Sequence, residues 1–298
     1  MEPGITPPPI RQGLPAIVLV HYGGPDLTRR CLACLAAVET EPHQVVVVDH
    51  GPGPGLEAAL AGAHPRCTVL ANHANPGFGP GCSMGAAHAF AEGAEAVWFL
   101  NNDATLEGPT LGRLLALARA HPEVALWGTQ QRDGARILGT DRQPPWFAKG
   151  PAPRPALPPG CRQLDARETL SGASILVTRT QWERLGPWPA DLFLYYEDAA
   201  WCLRAHLQGL PMALVELPVT HPRSSTIGRR SPLATFYGVR NQLRLHREIH
   251  PGAGAARFAM GLHLLQKRLF QGRWGLLVHT FRAILASARG QVGRDPRY

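Results

Sequence analysis

Residues 44–51 read QVVVVDHG, four consecutive valines closed by an aspartate, a histidine and a glycine. A strand with one face in water alternates apolar and polar residues. An unbroken run of β-branched residues instead fits a strand covered on both faces, as in a parallel sheet held between layers of helices. Outward from it, AIVLVHY (16–22), CTVLANH (67–73) and AVWFLNND (96–103) repeat the pattern with helical stretches between them. Strand and helix alternating four times in little more than a hundred residues predict an α/β fold built on a doubly wound, mostly parallel sheet. Ligands of such sheets bind beyond the carboxyl ends of the strands. Those ends carry His21, Tyr22, Asp49, the 75–85 loop and Asn101 to Asp103.

From about 130 to 165 the pattern dissolves. QPPWFAKGPAPRPALPPG (143–160) holds too much proline and glycine for a regular element. A loop of that length is either functional or disordered, and Trp146 and Phe147 are its candidates for an acceptor wall or a lid. TLSGASILVTRTQWERLG (169–186) restores a strand and a helix, FLYYEDAAWCLRAHLQGL (193–210) reads as an amphipathic helix opened by Glu197 and Asp198, and PMALVELPVTHPRSST (211–226) reads as a last edge strand. Beyond 231 the chain is helical. The expected organisation is a flexible N-terminus (1–14), an α/β domain (15–245) and a basic helical extension (246–298).

With 298 residues and 45% hydrophobic content, the chain has the composition of a soluble globular protein. It has no apolar run of membrane-spanning length, and MEPGITPPPIRQGLP lacks the basic start and apolar stretch of a signal peptide, so the expected location is the cytoplasm. Cys31 and Cys34 form the one CxxC among six cysteines, inside an apparent helix and without the second ligand pair that zinc needs. Charge is segregated: residues 221–298 hold 14 Lys/Arg against 2 Asp/Glu, whereas residues 1–220 hold 16 against 20. Within the basic block, RFAMGLHLLQKRLFQGRWGLLVHTFRAILASARGQVGR (257–294) spaces apolar side chains at three and four residues with cations between them. That pattern suits a helical stripe packed on the domain, or one lying in a membrane interface through residues 255–290.

Three motifs carry chemistry. In FLNNDA (99–104), Asn101 and Asp103 are two apart in extended chain, so both side chains reach one point beyond the sheet. One carboxylate there, completed by diphosphate oxygens, suits Mg²⁺ or Mn²⁺, although a turn or helix cap has the same appearance. NPGFGPGCSMGA (75–86) places four glycines between a strand and a helix, where backbone N–H groups approach a ligand closely. It is neither a Walker A loop nor a GxGxxG after the first strand. The third is the adjacent Glu197 and Asp198, which alone would be explained as partners of a helix dipole.

In order, IVLVHYGGPDLTRRCLACL, VVVVDHGPG, NPGFGPGCSMGA, FLNNDA, LSGASILVTR, FLYYEDAAWCLRAHLQG, HPRSST and YGVRNQLRL resemble the inverting family 2 glycosyltransferases of GT-A fold, and among them the rhamnosyltransferase-type enzymes of bacterial surface polysaccharides. The resemblance spans roughly residues 15–290. It implies a nucleotide-sugar donor, a saccharide or lipid-linked acceptor and a divalent cation, Mg²⁺ or Mn²⁺. It implies further that Tyr22 and Asp49 hold the base; that Gly77, Phe78, Gly79, Gly81, Asn101 and Asn102 line the donor pocket; and that Asp103, with His221, holds the metal. Arg240 would face the phosphates, and Asp198 would act as the base with Glu197 orienting it or the acceptor. The sequence departs from the family's pattern at Asn101, commonly the first Asp of an Asp-x-Asp pair, at His50 and Pro52, commonly Asn and Ser, and at Cys82, usually Asn.

Other readings remain open from the residues alone. A sugar-1-phosphate nucleotidyltransferase shares the fold class, but should carry a Gly-rich basic loop where this chain has HYGGPDLTRR. A non-catalytic sugar-nucleotide-binding protein would tolerate the departures. Nucleic acid is not an expected partner, because the basic block lacks interleaved aromatics or a recognised binding motif.

Overall fold

The structure is a computed structural model, and it describes residues 13–147, 153–221 and 231–298. The expected flexible N-terminus falls almost wholly outside the described residues, as do 148–152 of the Pro-rich segment and the PRSST of HPRSST.

The four apolar runs are strands β1 (Ala16–His21), β2 (Gln44–Asp49), β3 (Cys67–Ala71) and β4 (Ala96–Leu100). They are parallel in the order β3-β2-β1-β4, separated in sequence by helices α1 (Pro25–Val38), α2 (Leu56–Leu60) and α3 (Phe78–Ala91). Val45 to Val48 are each no more than 1% exposed, as expected of a strand covered on both faces. The register pairs His21 with Asp49, which brings the ends of β1 and β2 together.

Past β4 come β5 (Thr105–Leu106), α4 (Leu111–Ala120), β6 (Leu126–Asp133), β7 (Arg136–Leu138), β8 (Asp141–Arg142), β9 (Cys161–Gln163), β10 (Glu168–Thr169), β11 (Ser174–Thr178), α5 (Arg179–Leu185), α6 (Glu197–Leu207) and β12 (Met212–Thr220). The sheet continues β4-β11-β6-β12-β5, so β11 enters antiparallel between β4 and β6. The segment expected to lack structure from 130 instead prolongs β6 and forms a β6–β7 hairpin, with β9 laid along β12. Nor is β12 an edge strand. It lies between β6 and β5, and a register shift between Val215 and Pro218 absorbs the proline that a regular ladder would reject.

Two apolar layers cover the sheet. One gathers Trp98 and Trp127 with α1 and α4; the other holds Phe99, Trp188 and Trp201, the last two stacked at 4.6 Å. Trp146 and Phe147 pack among Leu203, Leu245 and Ile249, so they buttress α6 instead of forming a lid. Cys31 and Cys34 are free thiols within α1.

Helices α7 (Pro232–Ile249), α8 (Gly254–Phe270) and α9 (Leu277–Ala288) pack on one another, and α7 runs through the expected domain boundary at 245. Their apolar stripe is only partly covered. Phe258, Phe270, Trp274 and Phe281 are all more than half exposed. No helix among the described residues is long and apolar enough to cross a membrane.

Candidate active site

Two adjoining cavities open at the carboxyl ends of β1, β2 and β4. The first is bounded by His21, Gly23, Asp49 and the 51–56 turn. Asp49 is buried there, and its Oδ1 accepts from Gly51 N at 2.7 Å, which fixes the turn and leaves the second oxygen for a ligand. His21 and Asn102 both reach Thr28 Oγ1 at 2.8 Å, tying the ends of β1 and β4 to α1.

The second cavity, of about 410 Å³, lies beside it and falls within the usual range for small-molecule sites. Of the site residues proposed from the sequence, Tyr22, Gly77, Phe78, Asn101, Asn102, Asp103 and His221 line it. Asp103 Oδ1 is 3.2 Å and Asn101 Nδ2 2.8 Å from His221 Nε2, so carboxylate, amide and imidazole converge from β4 and from the residue that follows β12. Among the described residues no cluster of three or more His, Cys, Asp and Glu side chains forms a complete cation cage. An oxygen-rich, incomplete donor set of this kind fits Mg²⁺ or Mn²⁺ whose remaining positions are filled by water and phosphate.

The glycine motif divides into two roles. Gly77 has φ +116°, and a Cβ on it would stand 2.2 Å from Phe193 O, so the loop and the 193–196 turn touch backbone to backbone. Phe78 N donates to Phe193 O at 3.1 Å and seals the contact. Gly79 and Gly81 are buried away from the cavity: a Cβ on Gly79 would meet Pro189 O, and one on Gly81 would meet His50 and Val20. They let α3 pack closely, which sequence periodicity alone cannot separate from ligand contact.

Glu197 and Asp198 begin α6 immediately after Tyr195 (φ 66°) and Tyr196 (φ 71°), two successive left-handed residues. Neither carboxylate belongs to the cavity lining; Asp198 stands one layer behind it. Its Oδ2 accepts from Gly172 N at 2.9 Å, beside the lining residue Ser171, and its Oδ1 from Ala199 N at 2.7 Å. Burial pushes the Asp198 carboxyl up to about 6; the backbone N–H groups oppose the rise and Asp141 adds to it. Burial and the charge of Asp198 push Glu197 up to about 8. The Tyr196 hydroxyl is pushed by burial to about 12, so near neutral pH it stays a packing group.

Arg240 lies elsewhere. It is 1% exposed, with Nε donating to Asn241 Oδ1 and Nη1 donating to Gly293 O at 2.7 Å. The cavity also holds His50, marked in the sequence only as a departure from the family's pattern, whose imidazole burial lowers to about 4, and four residues that no motif marked: Gln131, Asp141, Arg294 and Tyr298. Asp141 follows the β6–β7 hairpin, inside the stretch whose proline content hid its order.

Residues 16–160 match the family model for glycosyl transferase family 2. That stretch, just under half of the chain, has the sequence of a family 2 glycosyltransferase domain. Over 240 residues the chain is 25% identical to an N-acetylglucosaminyl-diphospho-decaprenol L-rhamnosyltransferase of Mycobacterium tuberculosis, covering 72% of this chain and 78% of the relative. Among solved structures, a Pyrobaculum calidifontis mannosyltransferase in complex with GDP-Man and Mn²⁺ superposes over 96% of this chain and 78% of its own, with TM-score 0.55 and 18% identity. S. aureus TarS 1–349 in complex with UDP matches over 87% and 72%, with TM-score 0.52 and 17% identity. This chain spans 43% of the length of another TarS chain. At these identities the structural likeness establishes the GT-A fold of the glycosyltransferase domain, and the cation and nucleotides belong to the neighbours' own descriptions.

Proposed function

We propose that this glycosyltransferase moves a sugar from a nucleoside diphosphate donor to an acceptor hydroxyl, with inversion at the anomeric carbon and with a divalent cation. The observation that carries this reading is a single cavity with two chemistries: the Asn101, Asp103 and His221 cluster, and behind Ser171 an Asp198 carboxyl with a pKa of about 6. Inversion in one displacement requires the attacking oxygen to lose its proton while the diphosphate departs. Asp198 is ionised near neutral pH and basic enough to take that proton; a positioned base contributes about 10² to 10⁴ in rate. Glu197, neutral beside it, limits the first turn of α6 to one negative charge. Asp103 and His221 would hold the cation, which when bound neutralises charge on the leaving diphosphate. Asp49, with one oxygen committed to Gly51 N, keeps acceptor capacity for the imide N–H of uracil or thymine, and Tyr22 borders the same base.

The donor in this reading is a dTDP- or UDP-sugar, dTDP-rhamnose first, because the mycobacterial relative is named as an L-rhamnosyltransferase. The acceptor is a saccharide on a diphospho-lipid, in cell-surface polysaccharide synthesis. The half-exposed apolar side chains of α8 and α9, among Lys267, Arg268, Arg273 and Arg282, support peripheral contact with the cytoplasmic membrane face.

A panel of sugar nucleotides, assayed with and without EDTA and with NMR of the product's anomeric proton, tests the whole. Metal-dependent turnover of one donor with inverted product is expected. Binding without turnover would leave a non-catalytic sugar-nucleotide-binding protein, and retention would remove the single-displacement mechanism. Asp141 rivals Asp198 as the base because it lines the cavity directly. The comparison of Asp141→Asn with Asp198→Asn decides between them, since only loss of the base abolishes transfer while donor binding persists.

A further inference from the structure

Residues 290–298 leave α9 and return to the cavity as a strap. Gly293 N donates to Asp191 O at 2.8 Å, Asp295 N to the Tyr237 hydroxyl at 2.8 Å, and the Tyr298 ring stacks on Phe236 at 4.4 Å while its hydroxyl meets His279 Nδ1 at 2.6 Å. The buried Arg240 guanidinium holds the Gly293 carbonyl from below. Between these anchors Arg294 is exposed into the cavity, its guanidinium 5.6 Å from the centroid of Phe193, whose backbone also braces the Gly77 loop. Among the described residues lining the cavity, Arg294 is the one Lys or Arg, facing a wall that also carries Asp103 and Asp141.

A fully charged guanidinium resting on an aromatic face, with its fork open to a cavity, is a device for binding phosphate oxygens in pairs. We propose that Arg294 binds the phosphate oxygens of a diphosphate in this cavity, and that Arg240 acts through the strap as a positioning residue instead of touching the phosphates. The proposal rests on the glycosyltransferase reading and deepens it. Two ligands of that reaction carry the chemistry, the nucleotide donor and a diphosphate-linked acceptor.

The test compares wild type, Arg294→Gln, Arg294→Lys and Tyr237→Phe, the last loosening the strap at Asp295 without removing a charge. Calorimetry with inorganic pyrophosphate, UDP or dTDP, and uridine or thymidine, in the presence of Mg²⁺, is paired with acceptor KM values for diphosphate-linked and phosphate-free saccharides. If the donor is the partner, Arg294→Gln weakens pyrophosphate and nucleotide binding by about tenfold, the nucleoside is unaffected, and Arg294→Lys recovers part of the loss. If the acceptor is the partner, nucleotide binding holds and KM rises by about tenfold for the diphosphate-linked saccharide alone. Tyr237→Phe should move the same quantity in the same direction, by less. Unchanged nucleotide binding together with unchanged acceptor KM in Arg294→Gln would overturn the proposal. A wild-type protein that neither binds nucleotide nor transfers sugar would instead strike the glycosyltransferase reading.

Discussion

Asp198 is the residue on which most of the proposed chemistry turns, and its environment makes the expectation quantitative. Because burial raises its pKa to about 6, kcat/KM for transfer should climb with pH through that value and level off above it. Asp198→Asn keeps the shape, removes the basicity, and should lower transfer at least about a hundredfold while nucleotide affinity measured by calorimetry barely moves. The folding sign is opposite to that of a salt-bridged carboxylate: a raised pKa means that ionising Asp198 disfavours the folded state, so wild type should lose more stability between about pH 4 and 6 than Asp198→Asn, while the raised Glu197, by burial first, adds a loss of the same sign up to about pH 8. At the cation cluster, Asp103→Ala and His221→Ala should weaken Mg²⁺- or Mn²⁺-dependent binding of UDP or dTDP, and Asn101→Ala should do so less, since an amide is the weaker ligand. Binding indifferent to these changes and to EDTA would argue for a cation-free site. These residues were legible because each belongs to a short motif at a strand or helix end. Asp141 and Arg294 were not, because one lies in the proline-bordered stretch after β7 and the other past the end of α9, where position is set by tertiary packing.

Between residues and fold stands the 193–196 turn, whose two left-handed tyrosines cost of order 1–3 kcal/mol each and persist only where the surroundings over-determine them. The determinants are visible. Gly77 presses on its first residue, and Asn241 of α7, wholly buried, donates its amide to Leu194 O at 3.0 Å and Tyr195 O at 2.8 Å. The turn aims α6, so Asn241→Ala should lower the melting temperature by an amount corresponding to roughly 1–3 kcal/mol and lower kcat more than it raises KM. A stability loss with kcat intact would separate the turn from catalysis. Gly77→Ala should be worse, since it combines a positive φ with a backbone clash. Helix α6 and the glycine motif are legible in the sequence, but the different roles of Gly77, Gly79 and Gly81 are not, because a helix packed hard on a sheet and a loop around a phosphate favour the same residue. Nor is the internal position of β12 legible, since the register shift that accommodates Pro218 within the ladder depends on its pairing with β6.

At the scale of the molecule, charge and apolar surface fall on the same end. Arg257, Lys267, Arg268 and Arg282 lie on α8 and α9 with the exposed Phe258, Phe270 and Phe281, and Arg273 and the exposed Trp274 lie between the two helices. Wild type should co-sediment with anionic liposomes at low salt and release at high salt; Arg268, Arg273 and Arg282 changed together to Gln should weaken binding, and neutral liposomes should bind less than anionic ones. Failure to bind anionic liposomes at low salt would remove the membrane contact. The sheet order has a different consequence, one of assembly. The strands at 96–100 and 126–133 are close in sequence, yet the strand that separates them arrives only at 174–178, and 126–133 gains its parallel neighbour only at 212–220. During synthesis the first half of the protein therefore exposes the open flank of Ala96–Leu100, whose Val97, Trp98 and Phe99 have no exposure in the finished fold, until the second half emerges. A fragment cut at residue 160, the limit of the family match, should accordingly elute as aggregates in size-exclusion chromatography, whereas one carried through 220 should expose far less unpaired strand edge and remain more soluble.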